Sequence, residues 1–281
     1  MPGEPLRLRT DDGQTLAATV FEPSAAATET VVIACATGVL ARYYRRYAEF
    51  LRQHGYRAIT FDYRGIGESR TADLSMLRGP WSDWGRYDLD AALGYALDRG
   101  KASLVGHSFG GFAAGLAPHG AGLHRILMVG AQHAFWLDYR HGSRARFWYR
   151  WHLKMPLLTR RYGYFPGKRL GLAEDLPRGV ALDWAHSPRD FTRRDPELRR
   201  NLAAVEARIA AVAATDDPFA TPRATERMLG YYPNAVKTSS FLPPARYRQT
   251  EIGHFSLFND KFATTFWLET VEFLAGQEPW P

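Results

Sequence analysis

The sequence predicts an α/β fold: a mostly parallel central sheet flanked by helices, with a helical insertion forming a cap. Three observations predict it. Short apolar, β-branched runs such as TVVIACATG and ASLVG alternate with helical stripes across brief connections, which implies right-handed crossovers. These runs are apolar at every position, the pattern of a strand buried on both faces of a parallel sheet. The alternation stops after Ala131 and resumes near Val205, so 131–205 reads as an insertion into a core made of 1–130 and 206–281.

Each element has its own signal. LRLRTDDGQTLAATVFEP alternates polar and apolar residues around Asp11, Asp12 and Gly13, a β-hairpin. TVVIACATG follows as a buried strand. From about Tyr43 to His54 a helix is expected, with Tyr43, Tyr47, Phe50 and Leu51 on one stripe and Gly55 as its stop. YRAITFDYRG is the next strand. WGRYDLDAALGYALDRG places Leu89, Leu93 and Leu97 four apart on one helical face and ends at Gly100. ASLVG is a strand, GGFAAGLA a helix of small residues and RILMVGA another strand. After the insertion, which is aromatic, basic and punctuated by Pro156, Pro166, Pro177 and Pro188, RIAAVAATDD resumes as a strand. TPRATERMLGYY is a helix, AVKTSSFL the last strand, and NDKFATTFWLETVEFLAG a closing helix.

With 281 residues, 46% hydrophobic and 23% charged, the chain suits one large packed domain and not a disordered one. Cys35 is the only cysteine, which excludes an intrachain disulfide and is compatible with a reducing cytoplasm. The opening MPGEPLRLRT lacks the apolar run of a signal peptide. The uncharged stretch Ala102–Leu123 carries glycines, Pro118 and two histidines, which argues against a membrane span. A cytoplasmic, soluble chain is therefore expected. The net charge of +7 is local: nine Lys/Arg and no Asp/Glu fall between Tyr139 and Leu170. That disfavours a surface built to coat nucleic acid.

LVGHSFGG hems Ser108 between Gly106 and Gly110. A serine at the end of a buried strand that turns at once into a helix needs a strained backbone, and side chains two residues away would collide with the neighbouring elements. Such a turn lifts the hydroxyl into the crevice and aims the helix-start N–H groups at an oxyanion. A serine hydroxyl also needs a base. TEIGHFSLF offers His254 after the last strand, and AVAATDDPF offers Asp216 and Asp217 before it. Both aspartates cannot orient one imidazole, and either could cap the turn sharpened by Pro218. Asp217 is preferred, with Asp216 left to cap or hold the loop. His107 must point away if Ser108 points in, and reads as packing. Cys35, in an apolar strand with no charged neighbour, reads the same way.

FDYRGIGESR, LVGHSFGG, DDPF and IGHFSLF together resemble the α/β-hydrolase superfamily from about Val31 to the C-terminus. The resemblance implies a nucleophile elbow at Ser108, a triad with Asp217 and His254, and an oxyanion hole in which Val39 N–H joins Phe109 N–H. The superfamily's HG motif after the third core strand is ATGV here, so Thr37 stands where a histidine is usual and Gly38 keeps the backbone permissive. Asp62, Arg64 and Gly65 belong to the strand-to-loop signature, with Asp62 holding that loop. Residues 131–205 become the cap.

In SRARFWYRWHLKMP, Arg146, Arg150 and Lys154 are four apart, while Phe147, Trp148, Trp151 and Met155 follow another face. Three readings stay open: a helix docking on lipid, a grip on an acidic or phosphorylated ligand, or a roof over the pocket with its cations in water, the favoured one. Tyr43, Tyr44, His133, Phe135, Trp136 and Trp148 are expected to contact a sizeable, partly apolar acyl substrate. No metal, nucleotide or other cofactor is expected, since the histidines lack paired ligand spacing and no phosphate loop follows the first strand. The reaction implied is hydrolysis of a carboxylic ester, lactone or thioester by a serine acyl-enzyme. An acyltransferase using the same residues, and a non-catalytic ligand-binding protein on this frame, are the alternatives.

Overall fold

The computed structural model describes residues 3–70 and 73–280. Eight strands form one sheet: β1 (Glu4–Arg9), β2 (Thr15–Phe21), β3 (Thr30–Ala34), β4 (Arg57–Phe61), β5 (Ala102–His107), β6 (Arg125–Val129), β7 (Arg208–Ala214) and β8 (Val236–Leu242). Their order is β1-β2-β4-β3-β5-β6-β7-β8, antiparallel in the β1–β2–β4 part and parallel from β4 onward. β3 and β5 are buried at every residue, as their unbroken apolar runs require. β1 and β8, at the two edges, are partly exposed.

Nine helices accompany the sheet among the described residues: α1 (Arg45–Gln53), α2 (Asp90–Leu97), α3 (Phe109–Phe112), α4 (Arg144–Trp148), α5 (Met155–Tyr162), α6 (Arg178–Ala185), α7 (Pro196–Ala204), α8 (Pro222–Leu229) and α9 (Phe266–Leu274). α1 buries Tyr47, Ala48 and Leu51 and ends before Gly55, whose φ of 87° the helix stop requires. Thr221 caps α8 by accepting from Ala224 N. Between β6 and β7 the chain forms α4–α7, short 3₁₀ and π-helical turns, loops and one antiparallel bridge, Phe165–Leu176, and no described helix is long and apolar enough to cross a membrane.

Three helices differ from expectation, and the closing one begins only at Phe266, after a 3₁₀ turn at Asp260–Phe262. The stretch read as one helix from Trp84 begins as a π-helical turn, Trp84–Leu89, before α2. Within that turn Asp88 is buried and accepts from Arg64 N at 2.8 Å and from its guanidinium at 2.6 Å, pinning the loop after β4. The small-residue helix after Ser108 runs only from Phe109 to Phe112 before tightening to a 3₁₀ turn, Ala113–Gly115. The Tyr232 hydroxyl explains the break, since it accepts from Gly115 N at 3.0 Å and donates to Phe112 O at 3.2 Å, replacing bonds of the helix.

The chain leaves β3, pairs β4 on one side and then β5 on the other. Strand order therefore reverses between β3 and β5, which opens a crevice at their carboxyl ends, the usual ligand position in such sheets. The ATGV loop follows β3, and Ser108 follows β5.

Candidate active site

Ser108 has φ 53° and ψ −117°, one of two non-glycine residues with positive φ among those described. A conformation this costly persists only where surroundings enforce it. Ser108 N donates to Val129 O at 2.9 Å, tying the turn to β6. A methyl group on Gly106 would stand 2.3 Å from Gly111 N, and one on Gly110 would stand 2.2 Å from Ala34 O. Both positions admit glycine alone. Phe109 opens α3, so its N–H has no acceptor within the helix and is free for an anion.

The two aspartates at the end of β7 have separate partners. Asp217 Oδ2 accepts from His254 Nδ1 at 2.7 Å, and its other oxygen accepts from Phe219 N and Ala220 N at 2.8 and 3.1 Å. Burial opposes a charge on Asp217, but the imidazole beside it and these hydrogen bonds outweigh burial and hold the carboxyl below its ordinary range. Since Nδ1 donates, Nε2 of His254 keeps its lone pair. Asp216 instead accepts from Ile252 N at 2.9 Å and Gly253 N at 3.0 Å, holding the loop that carries His254.

The pair stands against the elbow. A methyl group on Gly130 would lie 3.2 Å from Asp217 Oδ2 and 3.3 Å from His254 Nδ1, and Gly130 follows the residue whose carbonyl holds Ser108 N. Ser108 is 8% exposed. Among the described residues, no hydrogen bond joins its Oγ to the ring of His254.

His107, read as packing, is wholly buried and bonded at both nitrogens. Nε2 donates to His254 O at 2.8 Å, because a carbonyl can only accept; Nδ1 must then accept from Tyr44 OH, 2.7 Å away. The same hydroxyl accepts from Ala36 N at 3.0 Å. Burial, with the neighbouring His254, pushes the His107 ring down to about 3, so it stays neutral. A directed chain thus runs from the loop after β3, through Tyr44 and His107, to the backbone of His254. Tyr43 adds a second tie by donating to Phe255 O at 2.8 Å.

The expected substrate contacts are therefore scattered. Tyr44 lies in the interior behind the loops, with no exposed surface. His133 borders a cavity of about 40 Å³ that is also lined by Trp81, Phe109, Phe112, Leu116 and Phe191, and it donates to Pro188 O at 2.6 Å. Phe135 lies under the Arg227 guanidinium, 5.1 Å from its ring centre. Trp136 and Trp148 meet edge to face at 6.5 Å, away from that cavity. Val39 is a correction. Its N–H closes a turn onto Ala36 O at 3.1 Å, because Gly38 in the left-handed region folds the loop back on itself, so it is no open donor. Asp62 holds its loop, accepting from Ala41 N and Glu68 N at 2.8 and 3.0 Å. Cys35 is buried, its thiol pushed up by burial and bonded to Phe61 O.

Sequence reasoning missed the aromatic column above the elbow. Trp81 stacks on Phe109 with centroids 4.4 Å apart, Trp184 on Trp81 at 5.4 Å, and Trp151 on Trp184 at 4.8 Å. Trp81 and Trp184 come from segments about 100 residues apart, and no periodicity marks them.

A model described as the alpha/beta hydrolase family matches residues 31–258. No curated protein matches. Among solved structures, a soluble variant of monoglyceride lipase from Saccharomyces cerevisiae, in complex with a substrate analogue, is 17% identical. The match covers 97% of this chain and 94% of that one, with a TM-score of 0.68. An esterase from Pyrococcus furiosus is 14% identical over 97% and 90% of the two chains, TM-score 0.62. A thermophilic esterase from Thermogutta terrifontis, with malate bound, is 16% identical over 95% and 99%, TM-score 0.59. At these identities the likeness is one of fold.

Proposed function

From the premise that this chain belongs to the alpha/beta hydrolase family, we propose that it is a serine hydrolase cleaving carboxylic esters, lactones or thioesters through an acyl-enzyme on Ser108. The hydrogen bond from His254 Nδ1 to Asp217 Oδ2, set against the strained elbow, carries the reading. An imidazole so oriented offers Nε2 as a base and gains stability when it becomes positive.

His254 Nε2 takes the Ser108 Oγ proton as the oxygen attacks the acyl carbon. Phe109 N–H faces the developing oxyanion, with its second donor left unassigned once Val39 is engaged. The carbonyl re-forms, the bond to the leaving group breaks, and the leaving atom takes the proton from His254. Water then gives a proton to His254, attacks the acyl carbon and releases the acid, and Ser108 recovers its proton. No step needs a cofactor. The names of the esterase and lipase neighbours support ester hydrolysis as the reaction class.

Residues 131–205 act as the cap over the core. The cavity of about 40 Å³ lined by Trp81, Phe109, Phe112, Leu116, His133 and Phe191 has room for a small apolar group, and the aromatic rings around it favour an apolar acyl part. The lone buried cysteine suits the cytoplasm. The expected outcome of incubation with a fluorophosphonate is labelling of the wild type and none of Ser108→Ala. Labelling of both, or of neither, counts against the reading. A panel of esters, thioesters and lactones, blanked with Ser108→Ala, then ranks the acyl class.

A further inference from the structure

The helical run from Arg144 to Tyr162, α4, a π-helical turn (Tyr149–Lys154) and α5, has two unlike faces. Phe147, Trp151, Met155 and Thr159, four apart, are buried. Trp151 begins the column that ends on Phe109, so this face looks toward the elbow. The other face is apolar too, although it meets solvent: Trp148, Tyr149, Leu153 and Leu157 are 40–56% exposed. They are four of the ten large hydrophobic residues exposed among those described, gathered within one short run. Scattered exposed hydrophobics need no explanation, but a contiguous group does.

What surrounds this face selects its occupant. Arg146, Arg150, Lys154, Arg160 and Arg161 lie on the same run, and among the described residues none of them has an acidic partner. The neighbouring sequence from Tyr139 to Leu170 has no Asp or Glu at all. A protein partner with a matching apolar surface would not require so uniform a charge. Indole and phenol rings with leucines, fringed only by Lys and Arg, match the boundary of an anionic bilayer, where rings sit at headgroup depth and cations meet lipid phosphates.

We propose that the outer face of 144–162 docks on anionic membrane surfaces, inserting Trp148, Tyr149, Leu153 and Leu157 at the headgroup boundary. The inner face of the same run roofs the elbow, so docking sets the substrate entrance against the lipid. This goes beyond the hydrolase reading and does not depend on it.

Co-flotation of the full chain with vesicles tests the proposal. Binding to phosphatidylcholine vesicles containing phosphatidylglycerol is expected, with much weaker binding to phosphatidylcholine alone and a steep loss on raising salt. Each cation near an anionic surface strengthens adsorption about fivefold. Arg160→Gln with Arg161→Gln should therefore weaken binding about 25-fold by the same constant, and Leu153→Ser with Leu157→Ser about tenfold or more. All four positions are exposed, and an unchanged circular dichroism spectrum checks the fold. Fluorophosphonate labelling of Ser108 in these variants reads the catalytic proposal separately. Absence of binding to anionic vesicles at low salt overturns the docking surface, as does binding indifferent to either pair. A concentration-dependent dimer in sedimentation that the leucine pair abolishes, without lipid binding, overturns it in favour of a second copy. Binding to nucleic acid with no binding to vesicles also overturns it.

Discussion

The loop carrying His254 and the roof above Ser108 are held by different forces. Directed bonds fix the loop: Asp216 accepts from Ile252 N and Gly253 N, His107 donates to His254 O, and Tyr43 donates to Phe255 O. The roof is a column of flat rings, Trp151, Trp184, Trp81 and Phe109, and the indole nitrogens of Trp81 and Trp151 are buried with no acceptor among the described residues. Hydrogen bonds fix a length and an angle, whereas offset stacking tolerates sliding. A base must be placed within a fraction of an ångström of the proton it removes; a roof has only to exclude water and fit an acyl group. The loop should therefore respond to the loss of single polar atoms, and the roof to the loss of surface.

The largest effect separates the two aspartates of the loop. Asp217→Asn replaces an acceptor at Nδ1 with a group that no longer stabilises an imidazolium, and kcat should fall about ten-thousand-fold. Asp216→Asn keeps one acceptor for Ile252 N and Gly253 N and leaves the His254 tautomer untouched, so a fall of about tenfold is expected, the worth of one charge-assisted bond. Steady-state rates on one ester decide it. Equal losses would mean that the loop bonds, not the carboxylate behind the ring, dominate the site.

A smaller contrast sets loop against roof. Tyr44→Phe removes the acceptor of Ala36 N and the donor to His107 Nδ1, two buried groups. The His254 backbone loses its backing while the substrate pocket is unchanged, so kcat should fall about tenfold with KM nearly constant. Trp184→Leu removes one ring from the column and leaves every bond of the loop intact. KM should rise about fivefold, at the low end of the worth of the two stacked pairs Trp184 makes with Trp81 and Trp151, with kcat nearly constant. Opposite assignments in the kcat and KM of the two variants would erase the distinction between the regions.

The same division governs what could be read from the chain. Apolar runs identify the strands, because a strand buried on both faces has no other composition available to it. Gly106 and Gly110 identify the elbow, because backbone from β3 and α3 fills the space a side chain would need. Spacing alone leaves Asp216 and Asp217 open, since neighbours on a strand end point opposite ways and only the position of His254 chooses between them. Tyr43 and Tyr44 look like pocket aromatics in one dimension; their hydroxyls find Phe255 O and His107 only through contacts between distant segments. The shortened α3 depends on Tyr232, and the roof on Trp81 and Trp184, for the same reason. Local pattern records burial, and it does not record which distant atom completes a hydrogen bond.

The last contrast is in stability, and it places one histidine from each region on the same scale. Burial with the neighbouring His254 brings His107, behind the loop, down to about 3, and burial brings His133, beneath the roof, down to about 4. Both rings are neutral when folded, whereas in the unfolded chain each takes a proton near the ordinary value of 6.5. Below that value the unfolded state binds more protons, so stability is complete above about pH 6.5 and declines as pH falls toward 4 for His133 and toward 3 for His107. The slope is about 1.4 kcal/mol per pH unit for each ring over that window. Urea midpoints measured from pH 7 to pH 3 should show the decline in the wild type. His133→Phe and His107→Gln should each flatten it by about half across pH 6 to 5. Below pH 4, of the two rings only the loop histidine still contributes, so the His133→Phe variant should lose more stability there than His107→Gln. A slope unchanged by either substitution would mean that these rings are charged in the folded protein, and that the bond from His107 to the His254 backbone is not the neutral, directed tie that distinguishes the loop from the roof.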